Sequence, residues 1–223
     1  PEWPTRSAAP GRQRELTGDT RAGVNVRPYQ TADADELWEM KQSFETGLGA
    51  AGDDTKAAAY DEKLTVEYRT RWLGWVGRCV EENPQCVQLV EIETGEGATD
   101  SGSPGGRDTT RPLDTAGYVF VLPESMAFVW DAAVLNEIFV WPRYRGTDAA
   151  AELMTAALDV MANQALPLDR VVLDVDRENN RARAFYDRYG FDHWGEMVAR
   201  PLSPDEMNEG AENADVGRGD ASE

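Results

Sequence analysis

Apolar residues along this 223-residue chain recur with two periods, and the switches between them mark its elements. Val24-Asn-Val-Arg27 alternates as a short strand. Thr31-Ala-Asp-Ala-Asp35 reads as a capped helix start, and Leu37, Met40, Phe44 and Leu48 follow at helical spacing. The stretch 45–63 is small, polar and broken by glycine. Leu64, Tyr68, Trp72, Val76 and Val80 then recur every fourth residue and predict a second helix with its aromatic side chains in the core. Cys86–Ile92, Ala116–Leu122 and Val134–Val140 alternate as strands, the last two as antiparallel neighbours. A helix over 149–164 stops before Pro167, Arg170–Val175 reads as a buried strand, Arg181–Tyr189 as the last helix and His193–Arg200 as a closing strand. This order predicts a mixed α/β sheet with helices on both faces, in which 134–175 supplies a parallel strand-helix-strand crossover.

Residues 1–22 and 205–223 lack apolar periodicity and read as disordered tails of a single domain over 23–204. A Gly/Ser/Thr/Asp-rich stretch at about 94–114 reads as a mobile loop.

Composition narrows the partners. The chain carries 41 Asp and Glu against 22 Lys and Arg, a formal net charge of −19. Such a surface repels nucleic acid and anionic membranes. Only Lys41, Lys56 and Lys63 are lysines. Because the acids are spread along the whole chain, the composition is similar to that of salt-adapted proteins, whose carboxylates keep the surface solvated in concentrated salt. An acidic pocket for cationic amines is the other reading. The two cysteines, Cys79 and Cys86, fit a reducing compartment, and with His193 as the only histidine a Cys/His zinc site is not available. With no apolar run long enough to span a bilayer and no signal-peptide core, a cytoplasmic location is expected.

Two segments carry the candidate chemistry. Val140-Trp-Pro-Arg-Tyr-Arg-Gly-Thr-Asp-Ala-Ala150 is a turn that opens a helix. Free N–H groups at such a helix start, with the positive end of its dipole, suit a diphosphate without a metal. Further on, Asn179, Ala182, Tyr186, Gly190 and Phe191 are spaced so that the first three share one side of a helix.

These paired segments resemble the acetyl-CoA site of the GNAT superfamily of N-acetyltransferases. There a V-x-P-x-Y-R-G-x-G-x-G/A segment wraps the diphosphate, and an N-x-x-A-x-x-x-Y-x-x-x-G-F segment follows the next strand. The match is good from Leu135 to Phe191, and the order of elements fits from Val24 to Leu202. Where the family has its helix-opening glycines this chain has Asp148 and Ala150. An Asp near a helix start offsets the dipole and can cap free N–H groups.

The resemblance implies a mostly antiparallel twisted sheet with two central parallel strands splayed apart. It implies direct acetyl transfer from acetyl-CoA to an amine of a small molecule or a protein, with no metal. Glu137 resembles the strand carboxylate used as base by many members. Asp174, five residues before Asn179, is the rival position. Tyr186 would protonate the CoA thiolate. The pantetheine arm would pair along Ile138, Phe139 and Val140, with an N–H near Phe139 or Val140 meeting the oxyanion and a bulge opening the slot. Arg145, Gly146, Thr147, Asp148, Ala149, Ala150 and Ala151 would hold the diphosphate, Asn179 and Ala182 would line the cofactor arm, and Arg181 and Arg183 would reach the 3′-phosphate. The amine is expected near Phe44 to Tyr60, where Asp53, Asp54 and Asp61 are candidates for a polyamine or aminoglycoside. A homodimer is an allowed assembly. A non-catalytic acyl-CoA-binding module on the same fold is the alternative, whereas a nucleotide-binding protein is disfavoured because no complete glycine phosphate motif is present.

Overall fold

A computed structural model describes residues 23–49, 54–93, 113–195 and 197–198. Both expected tails and most of the 94–114 loop lie outside the described residues. The chain divides into two compact units, residues 1–179 and 180–223.

The first unit is built on one sheet with strand order β1-β2-β3-β4-β5. The strands are β1 (Val24–Pro28), β2 (Val87–Glu93), β3 (Leu113–Val121), β4 (Ala133–Val140) and β5 (Val171–Val172). Neighbours are antiparallel from β1 to β4. β5 joins in parallel through Ala133↔Val171 and Val134↔Val172. The expected mixed, mostly antiparallel sheet is therefore present, together with the parallel crossover.

Side chains alternate between the faces of a strand, so each face of this sheet has its own cover. One face carries Leu89, Tyr118, Phe120 and Phe139 beneath α1 (Ala34–Gly49) and α3 (Val66–Glu82), which contribute Leu37, Trp38, Met40, Trp72, Val76 and Cys79. Thr65 caps α3 by accepting from the Tyr68 N–H, which satisfies one of the orphan donors at the helix start. On the other face Val119 and Val121 meet α5 (Ala149–Met161), whose stripe of Ala149, Leu153, Met154, Ala157, Val160 and Met161 is buried. Three, four and seven residues separate these positions, so they line one side of the helix.

Two bulges interrupt the ladders. The register shifts between Val90 and Glu91 on β2, which leaves Ala116 as the extra residue of β3. It shifts again between Phe120 and Val121, which leaves Asn136 as the extra residue of β4. At Gly117, opposite Val140, an added Cβ would lie 2.2 Å from the carbonyl oxygen of Phe139. Only glycine lets the two backbones come this close.

The structure also departs from expectation. The stretch 45–63 contains the end of α1 and a further helix, α2 (Asp54–Glu62), whose lack of an apolar stripe hid it. A four-residue α4 (Glu124–Ala127) follows β3. The buried strand expected at Arg170–Val175 shrinks to two half-buried residues, paired with β4 only through Ala133 and Val134. In the second unit, α6 (Asn180–Asp187) forms as expected. Of the closing strand expected over His193–Arg200, the described residues 193–195 and 197–198 join no ladder, and Trp194, Met197 and Val198 are exposed.

Candidate functional site

β4 is the centre of the site, because its two edges are treated differently. Toward β3 it is paired from Leu135 to Val140. Toward β5 pairing stops at Val134↔Val172, so Asn136 to Val140 have no strand partner on that edge among the described residues. N–H directions alternate along a strand. The Trp141 N–H is directed to Ala116 O on β3, so Val140 presents its N–H and C=O to the open edge. Arg145 confirms that direction: its Nε donates to Val140 O at 3.2 Å. Of the two residues expected to supply an oxyanion donor, Val140 rather than Phe139 faces outward. Ile138 shares that outward edge, whereas the Phe139 side chain packs into the core.

The chain then makes a tight turn through Pro142–Tyr144 and enters α5. Gly146 has φ +89°, a conformation that only glycine adopts without strain. Thr147 accepts from the Ala149 N–H through Oγ1 and donates that hydroxyl to Tyr144 O. Among the described residues no backbone acceptor takes the N–H of Gly146, Ala150 or Ala151. Asp148 occupies the N-cap position, is exposed, and forms no side-chain cap, so the capping expected of it is not what holds the helix start. Its charge still faces the positive end of the helix dipole.

On the face beneath α1, the Glu137 side chain of β4 is held by three protein donors. Glu137 is only 6% exposed. Its Oε1 lies 2.6 Å from Lys41 Nζ and 3.2 Å from Asn136 Nδ2, and its Oε2 accepts from the Tyr118 hydroxyl at 2.6 Å. Lys41 also pairs with Glu45 at 2.5 Å, and Glu45 with Lys63 at 2.7 Å. Tyr68 donates to Glu45 at 3.3 Å. The Lys41 ammonium stands 5.2 Å from the ring centres of both Phe44 and Trp72. Burial alone would lower the Lys41 pKa, but Glu137 and Glu45 outweigh it and raise it. Burial would raise Glu45, yet Lys41 and Lys63 bring it below its ordinary value. Burial and the Glu137 charge push the Tyr118 hydroxyl well above the ordinary range.

Asp174 is exposed and lies beyond the two-residue β5 rather than on a strand. Asn179, half-buried, donates its N–H to Asp176 O at the end of the first unit. In the second unit Ala182 and Tyr186 lie on α6, and burial pushes the Tyr186 hydroxyl up to about 12. Arg181 and Arg183 are exposed on the same helix. Asp53 lies outside the described residues, and Asp61 is exposed at the end of α2. An open cleft of about 660 Å³ runs along α1 past Glu39, Gln42, Ser43, Thr46 and Gly47 to Trp141. Lys41, Asn136 and Tyr118 are the residues that sequence reasoning missed. A lysine four residues after Leu37 and four before Glu45, inside the apolar stripe of a chain with three lysines, was the available signal.

Residues 114–191 match the family model described as the acetyltransferase (GNAT) family. No curated protein matches this sequence. Among solved structures, the chain is similar to a GCN5-related N-acetyltransferase from Ralstonia eutropha JMP134, at 14% identity over 81% of this chain and 100% of that one, with a TM-score of 0.52. It is also similar to the PaiA N-acetyltransferase from Thermoplasma acidophilum, solved in complex with coenzyme A, at 15% identity over 76% of this chain and 89% of that one, with a TM-score of 0.51. These likenesses show the fold: the mixed five-stranded sheet with its flanking helices is the GNAT fold.

Proposed function

We propose that this chain is an N-acetyltransferase that moves the acetyl group of acetyl-CoA directly to a primary amine. One observation carries the reading: among the described residues, the edge of β4 that lacks a strand partner runs straight into a glycine turn and a helix start whose Ala150 and Ala151 N–H groups have no backbone acceptor. An extended pantetheine arm adds to such an edge as a strand would, and a diphosphate suits such a helix start. The resemblance assigns Asn179 and Ala182 to the arm.

In this reading the amine nitrogen attacks the thioester carbonyl, and the negative charge that forms on oxygen meets the Val140 N–H. The carbon–sulfur bond then breaks and the thiolate takes the Tyr186 proton. With its pKa pushed up to about 12 the phenol is protonated at neutral pH, so it enters the step holding the proton that the thiolate takes. The amine must lose a proton. Glu137 is buried and already accepts from Lys41, Asn136 and Tyr118, so in this reading it serves as framework rather than as the base. Exposed Asp174 is the carboxylate that takes the proton through water. This reverses the preference that position along the strand alone suggested. The mechanism needs no metal.

The acidity of the chain supports salt adaptation, and two free, buried cysteines fit a reducing, cytoplasmic setting for this activity. CoA thiol release from acetyl-CoA with a panel of primary amines, in low and high salt, tests the reading. Turnover is expected with at least one amine, and Tyr186→Phe should lower kcat by roughly a hundredfold. Full activity in Tyr186→Phe would remove the phenol from the mechanism. Asp148 beside the diphosphate position favours one second reading, an acyl-CoA-binding module, and tight CoA binding without turnover on any amine would select it.

A further inference from the structure

A bulge needs a cause, and the one in β4 has side chains holding it. Asn136 is the extra residue, two positions beyond the last β4–β5 pair at Val134↔Val172. Neighbours on a regular strand point to opposite faces, but an extra residue breaks the alternation, so two consecutive side chains share one face. The Asn136 amide accordingly donates to the next residue, Glu137, at 3.2 Å. The same Glu137 oxygen is held by Lys41 at 2.6 Å from the middle of α1. We infer that Lys41 is a positioning residue for the CoA groove: through Glu137 and Asn136 it fixes the bulge that turns β4 away from β5. The inference rests on the reading that the open edge of β4 binds the pantetheine arm.

Three observations support it. Taking an ammonium and two carboxylates out of water costs several kcal/mol per ion, and well-packed apolar residues often serve stability equally well. A merely space-filling role would not require a charge there. The residue is a lysine in a chain with three lysines among 22 Lys and Arg. A compact ammonium with three donors can bridge two carboxylates at 2.5 and 2.6 Å, whereas a planar guanidinium favours one carboxylate gripped by two parallel bonds. Finally, Glu137 is the only member of the charged chain Lys63–Glu45–Lys41–Glu137 that lies on a strand, and that strand is the one with the open edge.

Calorimetric titration of the full chain with CoA, alongside thermal melts, tests the inference without an acceptor amine. Lys41→Met leaves two buried carboxylates without their shared cation and can fail to fold, so two further variants carry the test. The double variant Lys41→Met/Glu137→Gln removes one charge of each sign, and Asn136→Ala cuts the tie at the bulge itself. Both are expected to bind CoA about five- to tenfold more weakly than the unaltered chain, the equivalent of one or two misplaced backbone hydrogen bonds. Glu45→Gln, which leaves the Lys41–Glu137–Asn136 link in place, should melt earlier yet bind CoA within about twofold of the unaltered chain. That contrast separates positioning from general stability. If the unaltered chain binds CoA and both bulge variants bind it equally well, Lys41 has no such role. An unaltered chain that does not bind CoA overturns the functional reading, and the inference with it.

Discussion

The two faces of the sheet solve the same burial problem with opposite chemistry. Beneath α5 the cover is Ala149, Leu153, Met154, Ala157, Val160 and Met161, with no charge. Beneath α1 and α3, aromatic rings surround Lys41, Glu45 and Glu137, the buried charged residues among those described. An apolar contact is non-directional and tolerates sliding, whereas an ion held at 2.5 to 2.6 Å fixes one relative placement of helix and strand. The α5 face thus supplies cohesion and the α1 face supplies location. The face that fixes location also borders the candidate chemistry.

The sharpest way to break this contrast is to remove the shared cation. Lys41→Met should cost about 4 kcal/mol in urea unfolding, because two buried carboxylates lose their partner. A loss below about 1 kcal/mol would show that water reaches the network and that the two faces do not differ in kind. Next in size, Leu153→Ala on the α5 face should cost about 3 kcal/mol through the cavity it leaves. It should leave the pH dependence of stability untouched.

The pH dependence sharpens the comparison further. Glu45 titrates below its ordinary value of 4.5 in the fold, so its stabilising contribution is complete above that value and is lost as pH falls through the lowered one. Denaturant unfolding should therefore weaken below about pH 4.5, with a shallower slope in Glu45→Gln and an unchanged slope in Leu153→Ala. Equal slopes in all three would remove Glu45 from the acid response. The smallest expected effect is a few degrees of lost melting temperature on desalting, as unscreened carboxylates repel one another. A melting temperature that holds on desalting would count against salt adaptation.

The α5 face was readable in the sequence because its information is periodic: Leu153, Ala157 and Met161 repeat at the helical period. The turn at Gly146 was readable for a similar reason, since a glycine before an Ala-rich run marks a conformation few other residues adopt. The α1 face was not. Lys41 and Glu45 look like an exposed i,i+4 pair until Glu137, 96 residues away from Lys41, is seen to share the ammonium. The overestimate of β5 has the same origin. Arg170–Val175 has strand composition, but whether a strand pairs is decided by its neighbour, and pairing with β4 ends after Val134↔Val172. Asp174 therefore lies beyond the strand that its sequence context predicts.

The close approach at Gly117 acts as a register pin. Sliding β3 by one residue along β4 would bring Ala116 or Tyr118 to the place where a Cβ meets the Phe139 carbonyl at 2.2 Å. Both misalignments are sterically shut, so hairpin assembly has one permitted phase. A missing side chain thereby guarantees that Phe120 and Glu137 arrive face to face.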